Sequence, residues 1–271
     1  MSNPIFIPSK DRVTISKLIK WFNSVSVPNI YVVVEPQDYE SYKNAFESIT
    51  ILQLNKNNEG ISFARNFIVN YASENDMDWI WILDDDIDLV MNKIDSDNNI
   101  TKLNTYSLLH SILDKPFESC FKIEPNRNID KLAQIGFLNN VWLRQYNKYD
   151  VGCQTSINQI VALNIPLLKA YNINYCLDLK FREDVDLTLQ ILENGLLNVR
   201  YNNYGYSTQS NTRRNYNTIN PTTVDNGGMT ESSKTMDWKE QETILVKRFG
   251  KYISFNPFKV NYSSFKFRFY S

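Results

Sequence analysis

Short apolar blocks recur through the first third of the chain, and each is closed by a proline, an acid or a polar turn. Pro4-Ile5-Phe6-Ile7-Pro8 reads as a first strand followed by a loop with Lys10 and Arg12, and Thr14 to Phe22 has helical spacing. Ile30-Tyr31-Val32-Val33-Val34 is apolar or β-branched at every position, the pattern of a parallel strand covered on both faces, and it stops at Glu35-Pro36. Asp38 to Phe46 suits a helix and Ile49 to Leu54 a third strand. After the polar loop Asn55 to Gly60, Phe63, Phe67 and Tyr71 fall on one side of a helix running from Ser62 to Tyr71. Trp79-Ile80-Trp81-Ile82-Leu83 is a fourth buried strand that ends abruptly in acid. Strand and helix alternating in this way predict an α/β fold with right-handed crossovers, a mostly parallel sheet, and ligands outside the carboxyl ends of the strands.

The rest of the chain carries weaker patterns. Tyr106 to Leu113 has helical spacing, and the aromatic-rich stretch Lys131 to Tyr149 suits further strands. Leu187 to Leu192 is helical up to the stop at Asn194-Gly195. Residues 211–233 are rich in Asn, Thr, Ser and Gly, a composition expected of a mobile loop. Within it, Arg213 and Arg214 with the pair Gly227-Gly228 suit a lid closing over an anion, a loop touching phosphates, or a loop facing only solvent.

Composition narrows the chemistry. A hydrophobic share of 42% over 271 residues is enough for a sizeable core, with no apolar run long enough to span a membrane and no signal-peptide layout at the start. A cytoplasmic protein with no obligate protein partner is expected. Cys120, Cys153 and Cys176 stand far apart, so neither a zinc knuckle nor a disulfide framework is indicated. His110 is the only histidine, which leaves carboxylates as candidate ligands and a hard cation, Mg²⁺ or Mn²⁺, as the candidate metal. A net charge of −1 gives no support to indiscriminate nucleic-acid binding. From Lys239 onward, however, basic and aromatic residues interleave, as on a surface that meets phosphates and bases, or on a basic face over a partly buried strand.

Three groups of residues carry chemistry. Asp84-Asp85-Asp86 follows the fourth strand directly, where carboxylates this close raise one another's pKa and call for a compensating cation. Alternation turns Asp84 and Asp86 to one side and Asp85 to the other. A solvated acidic turn or a helix-capping cluster has the same composition; the buried strand before it favours the metal. Arg182-Glu183-Asp184 opens a helix, where backbone amides favour ionised carboxylates, as a proton acceptor or simply as a cap. Glu59-Gly60 through Arg65-Asn66 opens another helix after a loop, so backbone amides and Arg65 could receive an anion. Asp95-Ser96-Asp97-Asn98-Asn99 imitates the start of a calcium loop, but Ile100 stands where glycine is needed and Tyr106 where a bidentate acid is needed, so it reads as a surface turn. No phosphate-binding G-x-x-x-x-G-K-[ST] or dinucleotide G-x-G-x-x-G motif follows a strand.

In order, Ile7-Pro8-Ser9 with Arg12, Val32 to Gln37, Gly60-Ile61-Ser62 with Ala64-Arg65-Asn66, and Trp81 to Ile87 resemble the N-terminal half of the TET-associated glycosyltransferases. These are largely phage-borne enzymes of the GT-A type, associated with sugar addition to 5-hydroxymethylated pyrimidines in DNA. The resemblance implies a single GT-A domain, with a Rossmann-like nucleotide-sugar half over residues 1–95 and an acceptor-side half over 96–271. It further implies a UDP-sugar donor, a divalent cation, hydroxymethylated DNA as acceptor, and the cytoplasm of an infected bacterial host. Pro8, Arg12, Glu35 and Gly60 would then border the nucleotide, Arg65 the diphosphate or sugar, Asp84 and Asp85 the ribose or sugar, Asp86 with Asp84 the metal, and Asp184 would be the base. The C-terminal histidine that many GT-A enzymes add to the metal shell has no counterpart after His110. A glycan, lipid or protein acceptor, or a catalytically silent binding module, are the competing readings.

Overall fold

The structure is a computed structural model; it describes residues 3–88, 91–94, 100–103, 109, 112–117, 129–139, 151–180, 182–208, 238–254 and 266–267. Four strands and three helices alternate first: β1 (Ile5–Ser9), α1 (Lys17–Val25), β2 (Ile30–Val34), α2 (Tyr39–Ala45), β3 (Thr50–Gln53), α3 (Ile61–Glu74) and β4 (Trp79–Leu83). There follow β5 (Met91–Ile94), β6 (Ile100–Leu103), β7 (Leu132–Asn139), β8 (Val151–Cys153), β9 (Ile160–Asn164), α4 (Ile165–Ala170), α5 (Glu183–Glu193), β10 (Leu197–Tyr206), α6 (Trp238–Phe249), β11 (Ile253–Ser254) and β12 (Lys266–Phe267).

The main sheet has the order β3-β2-β1-β4-β9-β7-β10-β5-β6, with β8 on β10. β1 to β4 are mutually parallel, as the alternation of strand and helix predicts. Beyond β4 the sheet is mixed: β9 runs antiparallel to both β4 and β7, while β7 and β10 are parallel. The expected α/β architecture is present; the sheet is parallel throughout β1 to β4, whereas beyond them the β7–β10 pairing is parallel and the others described are antiparallel, so the expected mostly parallel sheet is mixed.

The period-2 alternation of the strands sorts the core into two layers. Ile5, Ile7, Val32, Val34, Trp81 and Leu83 pack with Leu18, Ile19 and Phe22 of α1 on one face. Phe6, Val33, Ile80 and Ile82 pack with Ile68, Val69 and Ala72 of α3 and Leu187 and Ile191 of α5 on the other. α1 begins later than Thr14 because Ser16 caps it, its hydroxyl accepting from the Ile19 amide.

The order 3-2-1-4 reverses the chain's direction of travel between β1 and β4, and the carboxyl ends of these strands share one rim. Such a switch point leaves a crevice, and the loops after β1 and β4 face each other across it. Arg12 and the Asp84–Asp86 run are on those loops.

Candidate active site

The acidic run after β4 is held in place by its neighbours. The Asp84 amide donates to the Gln159 carbonyl ahead of β9 at 2.9 Å, and the Asp88 amide donates to Ser207 at 2.9 Å. Ile87 bridges Thr208 beyond β10. Ser16 Oγ donates to the Asp85 carbonyl at 2.8 Å, so the cap of α1 also pins the turn.

Asp85 and Asp84 turn into two different environments. Asp85 is buried and turns toward β1, where Arg12 and Ser9 both donate to its carboxylate. Ser9 also pairs with the Tyr42 hydroxyl at 2.7 Å, and that hydroxyl accepts from the Arg12 amide at 3.0 Å. Burial raises the Asp85 carboxyl above its ordinary value, with Arg12 and Ser9 drawing it partly back. Asp84 turns the other way and accepts from Arg65 Nη2 at 2.6 Å.

Arg65 is the centre of this second environment. It is 4% exposed, and its Nη1 donates to Glu183 at 2.7 Å, so one guanidinium joins the end of β4 to the start of α5. Burial opposes its charge, but Asp84 and Glu183 outweigh that and hold its pKa above the ordinary value. Burial likewise pushes Glu183 up to about 7 against the pull of Arg65, and raises Asp184 against the pulls of Arg65, its own helix amides and Arg182. Tyr206 is fully buried, donates to Asn158 Oδ1 at 3.0 Å, and lies in the fields of Asp84, Asp184 and Asp86 together. Acids from β4 and α5 therefore converge on one place, although they are a hundred positions apart in the chain.

Glu35, just past β2, is buried and accepts from the Asn58 amide at 2.8 Å and Gln37 at 2.9 Å, with Lys10 at 3.2 Å. Pro8 is buried within β1, in register with Val33. Gly60 precedes α3 at φ 89 and ψ 179, a backbone conformation essentially restricted to glycine.

The model of the TET-associated glycosyltransferase family matches residues 3–216. The chain belongs to that family. The chain is also similar to crystal structures of residues 1–349 of S. aureus TarS, alone, with UDP and with UDP-GlcNAc. Identities are 15%, 16% and 14%, TM-scores 0.44, 0.44 and 0.43, and coverage of this chain 78%, 77% and 77%. The matches cover 61%, 60% and 58% of those chains, so the chain spans about three fifths of their length. A comparison with curated proteins gives no match. No helix among the described residues is long and apolar enough to cross a membrane.

Of the residues expected at the site, the structure brings together Arg12 with Asp85, and Arg65 with Asp84 and the start of α5. Arg65 is buried, with one terminal nitrogen committed to Asp84 and the other to Glu183. Arg213, Arg214, Gly227 and Gly228 lie outside the described residues, as do His110, Cys120 and the turn at Asp95–Asn99. Glu183 as partner of Arg65, and Ser9, Ser16, Tyr42 and Tyr206 as supports, escaped the sequence reading; Glu183 left a signal beside Asp184 in the helix-opening acidic pair, and Ser9 one beside Pro8 in the first-strand motif.

The carboxylates around Asp84 outnumber the guanidiniums among them, a surplus that suits a hard divalent cation. Among the described residues no three His, Cys, Asp or Glu side chains gather closely enough to hold a metal by themselves. A cation held here would need further ligands from outside these side chains.

Proposed function

We propose that this glycosyltransferase moves a hexose or pentose from a UDP-sugar to the hydroxymethyl oxygen of 5-hydroxymethylcytosine in DNA. The observation that carries the reading is the convergence of the Asp84–Asp86 run with Glu183-Asp184 at the strand ends of a glycosyltransferase-family fold. Asp84 and Asp86 would hold Mn²⁺ or Mg²⁺, which when bound neutralises the charge of a diphosphate leaving group.

The chain's own residues supply the rest. Asp184, its basicity raised by burial, takes the proton as the acceptor oxygen forms its bond to the anomeric carbon and the bond from that carbon to the diphosphate oxygen breaks. A direct displacement of this kind inverts the anomeric centre. Glu35 offers only acceptors, which suits the N3–H of uracil and not the bare N3 of cytosine, and it is fixed by Asn58 and Gln37. Arg65 keeps Asp84 and the start of α5 at a set separation, so the donor side and the proton acceptor are preorganised together.

The test is to incubate the protein and Mn²⁺ with a panel of UDP-sugars and either hydroxymethylated or unmodified DNA, then digest to nucleosides. A sugar adduct confined to the hydroxymethylated substrate is expected. No adduct with any donor would overturn the DNA acceptor, and transfer to a glycan, lipid or protein would relocate it.

A further inference from the structure

The family match ends at residue 216, yet α6 lies directly against the helix that carries the acidic pair. Leu245, Phe249 and Ile253 form a separate small core with Leu179, Val185 and Leu189. Polar contacts run along the same seam. Gln241, 4% exposed, accepts the Lys180 amide at 2.7 Å, and Arg248 Nε meets the fully buried Asp186 carboxylate at 2.8 Å. Glu242, also buried, lies in the field of Arg182, the residue before Glu183. From the opposite side, Ser62 Oγ donates to the Leu179 carbonyl and Arg65 holds Glu183. The start of α5 is thus clasped between α3 and α6.

That start needs outside restraint. Arg182 precedes it in the left-handed region, at φ 62, and gives it no side-chain cap, so within the helix its first amides are met by Glu183 and Asp184 themselves. A helix end without a cap from the preceding residue relies on tertiary contacts to hold its first turn.

We propose that α6 is a positioning element of the active site, with Gln241 and Arg248 as positioning residues that fix where Asp184 stands relative to Asp84. The chain beyond the family-matched region then belongs to the catalytic unit. The inference rests on the proposed function for the role of Asp184, and the test separates the two.

The experiment measures kcat and donor KM for transfer, together with amide hydrogen exchange, in Gln241→Leu, Arg248→Met, Arg248→Lys and Lys251→Ala. Gln241→Leu and Arg248→Met are expected to lower kcat about tenfold with donor KM within about twofold, because small misplacements of a reacting group cost rate more than binding. Exchange should quicken selectively at the start of α5, while α3 and β4 keep their protection. Arg248→Lys restores most of kcat, and Lys251→Ala, which breaks the exposed pair with Glu193 at the far end of α5 and the contact with the Tyr252 ring, changes neither quantity. Wild-type kcat in both disrupting variants overturns the proposal, as does a loss carried by KM alone or a rise of exchange throughout the sheet. Should the wild-type protein transfer no sugar, the proposed function fails and exchange decides alone: selective loosening of α5 sustains the clasp, and unchanged protection refutes it.

Discussion

Arg65 donates to Asp84 and Glu183 from a position with 4% exposure, so neither carboxylate has to share the buried space with the other unneutralised. Arg65→Met strands both acids, and breaking a buried pair of this kind costs about 3–5 kcal/mol, to be read from urea unfolding. Asp86 is half-buried in the turn after β4, outside both hydrophobic layers, and contributes more to the site than to the core. Asp86→Ala is therefore expected to keep the wild-type Tm and to lose turnover at every Mn²⁺ concentration; wild-type activity at limiting Mn²⁺ would remove the metal assignment. Asp184→Asn retains shape and hydrogen bonding but cannot take a proton. Transfer should slow by roughly a hundredfold or more with donor binding unchanged, and an unaltered rate returns Asp184 to a structural acid at a helix start.

At the scale of the element, α3 begins at Gly60 in a conformation that a side chain resists, although open space surrounds the place where a Cβ would stand. Gly60→Ala should thus cost about 1–3 kcal/mol from backbone strain alone, seen as a lowered Tm. β1, β2 and β4 could be read from sequence because each is covered on both faces, so burial writes itself into nearly every position; β3, at the sheet's edge, is only half-covered. β9, Ile160–Asn164, is as apolar as β4, and nothing in Ile-Val-Ala-Leu-Asn says that it runs antiparallel. Direction is a property of distant pairing, which no local period records. The site followed the same division: a run of three acids stands out in the chain, but the partner of Arg65 is 118 positions away, and Ser9 and Tyr42 look like any other strand-end serine and helix tyrosine until they meet.

Over the whole molecule, burial raises several carboxyls at once, and the sign of the effect on stability follows. Glu183, near 7 in the fold against an ordinary 4.5, and Asp186, near 6 against 3.8, bind protons more tightly folded than unfolded. Their contribution is fully present below the ordinary values and is lost as pH rises through about 6 and 7. Without metal or donor, Tm should fall between about pH 5 and about pH 8, as measured by thermal scans in a constant-ionic-strength buffer series. A Tm that climbs over that interval would show that the ion pairs with Arg65 and Arg248 outweigh desolvation.

The bridge from Asp84 through Arg65 to Glu183 also bears on how the protein could be recombined. Swapping the second half for that of a relative, to borrow a different acceptor preference, would look like a clean cut anywhere between β4 and α5. A chimera of that kind inherits the arginine from one parent and must find its second carboxylate in the other, so viable crossovers will be those in which the incoming helix opens with an acid at the Glu183 position.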